Sequence, residues 1–193
     1  MKTLLYVLVA LLLTSVANAA DAPKKDPAME AQMAEMMKYA NPGPQHEKLK
    51  AMVGTWDATV KSWMGTPEPT VSKGVMKNEM TLGGRLLESS YKGEWAGQPF
   101  DGFGLTGYDL KENKLKSLWT DTMSTAWMVM DGSISADGKE LSSAGTMDGM
   151  DGKPMAVRTV TKIESNDKHV YTMFGTMNGQ EMPVMEITYN RKK

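Results

Sequence analysis

The chain has 193 residues, 22 basic and 23 acidic, and a net charge of -1 with histidine neutral. So even a balance leaves no electrostatic footprint for nucleic acid. The lack of any Cys excludes disulfides, zinc-thiolate sites, cysteine nucleophiles and lipid attachment at a lipobox cysteine.

The chain opens with the marks of an export signal. Lys2 supplies a positive start, Leu4 to Leu13 an apolar stretch, and Ala17-Asn18-Ala19 a small-x-small cleavage site. The apolar run is short for a membrane span and no second one follows, so no integral membrane anchor is expected. This reading divides the chain into a signal peptide over 1–19, a Met-rich segment over 20–43 and a folded domain over 44–193. The mature protein is then expected to be soluble and periplasmic or secreted.

Asp26-Pro27 reads as an N-cap and first helical position, and Met29, Met33, Met36 and Met37 follow at helical spacing before Asn41-Pro42 ends the pattern. The helix is expected to lay this stripe on the domain. Thioethers also suit Cu(I), so an alternative is envelope copper binding through these residues with Met147, Met150 and Met155. Pro44 to Met52 predicts a second helical turn that closes one end of the domain, with Leu49 and Met52 inward and His46 as a capping or packing residue.

From Val53 onward, strand and turn signals alternate about every ten residues. Gly83-Gly84, Ala96-Gly97, Asp137-Gly138 and Asn178-Gly179 mark connections too short for parallel crossovers. The expected fold is all-β: an antiparallel up-and-down barrel of about ten strands, closed on itself to remove its edges. Alternation turns Trp56, Ala58, Val60 and Ser62 inward, then Met76 and Met80, Ser89 and Tyr91, and Leu115, Ser117, Trp119 and Asp121. Met155, Val157, Thr159 and Thr161 complete the inward set. Such a mixture of apolar, thioether and hydroxyl groups predicts a cavity for a small hydrophobic or amphipathic ligand. Trp119, Trp127, Tyr91, Met76 and Met80 are its expected walls, and Asp121 with Ser117 its polar anchor.

Four motifs carry a family resemblance. They are Pro44-x-His46-x-x-Leu49 ahead of Gly54-x-Trp56, Gly102-x-Gly104-x-x-Gly107-Tyr108-Asp109, Trp119-Thr120-Asp121-Thr122-Met123-Ser124-Thr125, and the closing Met185-Glu186-Ile187-Thr188-Tyr189-Asn190-Arg191. Together, over about Gly43 to Arg191, they resemble the family called domain of unknown function 1579, with a calycin-like barrel of the lipocalin and fatty-acid-binding kind. The resemblance implies the barrel but no agreed substrate or activity. It also implies that Arg191, on the last strand, lies over the Trp56 indole.

Other chemistry is sparse. Asp121 reads either as a carboxylate capping the turn after it or as a ligand anchor or general base, and the base reading is the one enzymatic alternative. Gly102-x-Gly104-x-x-Gly107 spells a dinucleotide fingerprint, yet no helix follows to bind a pyrophosphate. The glycines instead suit curvature or close packing in a barrel wall. His169 is the residue that could hold haem, though one His on a strand is more often a packing residue. No cofactor or bound metal is assigned to the barrel.

Overall fold

A computed structural model describes residues 26–64, 68–149, 152–177 and 179–193. The signal-peptide reading and Met150 lie outside the described residues. The described residues fall into two units that divide between Met37 and Lys38.

In the first unit, α1 (Pro27–Met37) begins as the sequence predicts. Asp26 Oδ1 accepts the Ala28 N–H at 2.9 Å, satisfying one of the orphan donors of the first turn. None of its residues is buried, and Met29, Met33, Met36 and Met37 are exposed.

The second unit starts with α2 (Pro44–Leu49), which runs into a 3-10 turn over Lys50–Met52. Pro44 stands at the helix start, where its missing N–H costs nothing. His46 Nδ1 accepts the Gly43 N–H at 3.0 Å, which is the capping role its position suggested. Among the described residues ten strands follow. They are β1 (Gly54–Ser62), β2 (Thr70–Thr81), β3 (Leu86–Trp95), β4 (Gln98–Asp109), β5 (Lys114–Asp121), β6 (Ser124–Ile134), β7 (Glu140–Asp148), β8 (Pro154–Ser165), β9 (Lys168–Met177) and β10 (Gln180–Arg191). Each pairs antiparallel with its neighbours in sequence, and β1 pairs with β10, so the sheet closes into a barrel with no free edge.

Period-two alternation decides what enters the lumen. Trp56 stands opposite Met76, which stands opposite Tyr91, which stands opposite Gly102, which stands opposite Asp121. All five therefore share the inner face. One end of the lumen is closed where Leu49 and Met52 meet Leu87, Leu115 and Leu141, all buried. Full burial of a Leu such as Leu49 or Leu115 contributes roughly 2–3 kcal/mol. Two donors then converge on one carbonyl: Trp56 Nε1 and Asn78 Nδ2 each reach Met52 O at 2.9 Å. They tie the end of the 3-10 turn to β1 and β2.

Arg191 completes the closure. Its guanidinium lies 4.1 Å from the centre of the Trp56 indole and donates to Val53 O at 2.8 Å. Gly54 has a φ of +134°, and a side chain there would run into that guanidinium. The Gly54-x-Trp56 motif is thus one half of a clasp whose other half is on the last strand.

Candidate functional site

The inner wall is built from a few aromatic side chains laid on glycines. A Cβ on Gly102 would collide with Trp119 Cζ2, and one on Gly104 would lie 3.0 Å from Trp119 Cε3. The indole therefore rests flat against β4, which explains why this strand needs two glycines on its inner face. Tyr91 lies in the same way across Gly74 of β2 and Gly93 of its own strand. Phe100 meets the Tyr91 ring edge-on at 5.7 Å between centroids. Trp119, Phe100 and Tyr171 all pack on the cluster formed by Trp56, Ala58, Val60, Met76, Tyr91 and Tyr189.

Asp121 sits at the end of β5, on the inner face. Its Oδ2 accepts the Trp119 indole N–H at 2.9 Å and its Oδ1 accepts the Met123 backbone N–H at 2.9 Å. One oxygen therefore holds the hairpin as a turn cap, and the other fixes the indole. A pocket of about 350 Å³ there is lined mainly by outward-facing residues, Ser90, Lys92, Asp101, Phe103 and Thr120, together with Tyr91, Gly102 and Asp121 of the inner row.

Polar groups line the lumen without being fully paired. The Tyr91 hydroxyl and Ser117 Oγ are buried with no hydrogen-bond partner. Burial pushes the Tyr91 phenol pKa up. Burial also raises that of Tyr171, whose phenol is ringed by protein. Yet Tyr171, like Trp119, Met185 and Ile187, is only partly buried although it faces inward.

Of the expected site residues, Tyr91, Met76, Trp119, Asp121 and Ser117 share the inner face, and Met80 packs deeper, on the leucine cluster that closes the end. Trp127 is a correction. Met128 and Met130 stand opposite Trp119 and Ser117, so they take the inner face of β6, and Trp127, the residue before Met128, points outward, 68 % exposed. Phe100 and Tyr171 belong to the wall and were not among the expected residues; the same alternation, applied to β4 and β9, would have found both.

Sequence reasoning also missed the outer face. Leu105, Leu118 and Val129 stand side by side across β4, β5 and β6, pointing outward, with Phe103 and Trp127 nearby. A groove of about 610 Å³ runs between these strands and the segment from Tyr39 to Pro42. That segment is held by Arg85, which donates through Nε to Ala40 O at 3.1 Å.

His169 has no open face for haem. It meets Trp56 edge-on at 4.3 Å and stacks on Tyr189 at 4.6 Å, and burial, with the Arg191 charge nearby, lowers its pKa to about 4. Among the described residues no three His, Asp or Glu side chains gather as a metal site. Methionine does gather: Met64, Met128, Met130, Met147, Met155, Met173 and Met185 form one inner cluster with Val157, Val184 and Tyr171. Among the described residues no helix is long and apolar enough to cross a membrane.

Solved structures with a similar fold differ widely in sequence. Rv2717c from M. tuberculosis superposes with a TM-score of 0.60 at 14 % identity, covering 79 % of this chain and 100 % of that one. The S-type phycobiliprotein lyase CPES from Guillardia theta superposes with a TM-score of 0.54 at 11 % identity, covering 79 % and 99 %. No curated protein sequence matches the chain. The family model described as protein of unknown function (DUF1579) matches residues 41–191, and the chain belongs to that family.

Proposed function

We propose that this is an exported protein, periplasmic or secreted, that binds a small hydrophobic or amphipathic ligand in the barrel lumen. The observation that carries the reading is the inner wall itself. Trp119 and Tyr171 face inward and keep accessible surface, while the Tyr91 and Ser117 hydroxyls lack partners. A core that existed only for stability would bury the first pair fully and would not strand the second, since an unpaired buried hydroxyl costs about 1–3 kcal/mol. Export rests on the Lys2 to Ala19 pattern. The phycobiliprotein lyase lends the fold alone.

Native mass spectrometry of the protein from its own cells, compared with the denatured sample, tests this reading. A non-covalent mass released on denaturation supports it. A protein that arrives empty and whose thermal unfolding no apolar probe shifts would refute it, because any ligand of the native state alone raises apparent stability.

A second reading has its own observation. The inner methionine cluster gathers thioethers from six strands or their ends, and thioethers bind soft ions such as Cu(I). This shifts the copper alternative from the α1 methionines towards Met147 and Met155, which face each other across β7 and β8. Chemical-shift changes at these methyls on titration with Ag(I) under anaerobic conditions would support it, and unchanged spectra would end it.

A further inference from the structure

The charges on the inner wall restrict the ligand further than its apolarity does. Among the described strand residues that face inward, Asp121 and Arg191 carry the charge. Arg191 is committed: it covers Trp56, donates to Val53 O, and pairs through Nε with Asp167 Oδ1 at 3.2 Å. The lysines of β2, β3 and β5 point outward, and Lys92, beside β4, is paired with Asp101 Oδ2 at 3.7 Å. An incoming carboxylate or phosphate would therefore meet no free cation among the described inward-facing strand residues and would face Asp121.

Asp121 is differently placed. Among the described residues it has no ion-pair partner, and the two N–H groups it accepts, from Trp119 and Met123, leave part of its acceptor capacity open. Its carboxylate belongs to the inner face, in register with Gly102 and Tyr91 and bonded to the Trp119 indole, and Trp119 and Phe100 pack on the cluster that contains Tyr91. Aromatic faces attract cations, and more strongly where water is excluded. A carboxylate among aromatic rings is the chemistry that recognises an ammonium group.

We infer that the Asp121 site takes the cationic head of an amphiphile, a quaternary ammonium or protonated amine, whose apolar part enters the lumen past Trp119 and Tyr91. The inference rests on the lumen-binding reading and narrows its ligand class.

Three probes with ten-carbon chains, decyltrimethylammonium, 1-decanol and decanoate, separate the two claims when titrated calorimetrically below their aggregation limits. The expected order is the cation first, the alcohol next and decanoate weakest, with about a tenfold gap between cation and alcohol. Asp121→Asn retains an oxygen for the Met123 N–H but loses the acceptor of the Trp119 indole N–H, so the readout is the ratio of cation to 1-decanol affinity, which should fall to about one. Asp131→Asn, on the outer face with Lys114 and Lys116, should keep the full order and so excludes a mere effect of net charge. If Asp121→Asn does not fold, the order in the wild-type protein decides alone. Decanoate binding as tightly as the cation, or a preference that survives Asp121→Asn, overturns the inference while 1-decanol binding preserves the lumen reading. Binding of none of the three overturns both.

Discussion

Acid should loosen the barrel through His169, and by a calculable amount. The imidazole is buried between Trp56 and Tyr189 with the Arg191 guanidinium nearby, so its protonated form is disfavoured and its pKa falls from 6.5 to about 4. In the unfolded chain the ordinary value returns, so between the two values the unfolded state binds more protons. The stability His169 contributes is therefore complete above about pH 6.5 and is lost as pH falls towards 4. At ~1.4 kcal/mol per pH unit, the loss over that window is about 3 kcal/mol. Exposed carboxylates such as Asp131 and Glu181, whose pKa values their cationic partners lower, add their own dependence at lower pH. A variant isolates the histidine: His169→Phe keeps a ring between Trp56 and Tyr189 but cannot titrate. Urea unfolding at pH 7 and pH 4 should show the wild type losing about 3 kcal/mol more than His169→Phe. Equal losses in the two proteins, or an NMR titration of His169 centred near 6.5, would refute the reasoning.

Other substitutions test the wall and the clasp. Gly102→Ala places a methyl in the Trp119 indole and should destabilise by about 1–3 kcal/mol in chemical denaturation. Arg191→Met keeps the stem over Trp56 but loses the guanidinium and its bond to Val53 O, at a cost of about 1–2 kcal/mol. Tyr91→Phe removes a hydroxyl that has no partner, so the ligand-free protein should be no less stable, within about 0.5 kcal/mol, while a ligand that uses the hydroxyl should bind more weakly. Trp127→Ser should change stability by less than about 0.5 kcal/mol and leave ligand binding intact, because Trp127 stands outside.

Much of the barrel was legible because its signals are local. Short turns demand antiparallel neighbours, and a sheet whose inward set runs from Trp56 to Thr161 and beyond must close around it. The Trp56–Arg191 clasp followed from the family resemblance rather than from spacing, and the 4.1 Å approach bears it out. What failed was parity on β6. Trp127 is a large aromatic near Trp119 in sequence, but a strand offers each face only every second residue, and Met128 and Met130 claim the inner one. The shelf of Gly102 and Gly104 under Trp119 was legible only as close packing, since the identity of the packed ring depends on the register between β4 and β5. The outer apolar row of Leu105, Leu118 and Val129 joins three strands, and no single strand's pattern reveals it.

The abundance of methionine makes the central claim directly measurable. With methionine methyls labelled with carbon-13, titration with 1-decanol should shift the signals of inward-facing Met76, Met128, Met173 and Met185 and leave exposed Met36 and Met123 unmoved. Saturable shifts confined to the inner methyls are the predicted result. Unmoved inner methyls, or shifts confined to the exposed ones, would contradict a ligand in the lumen.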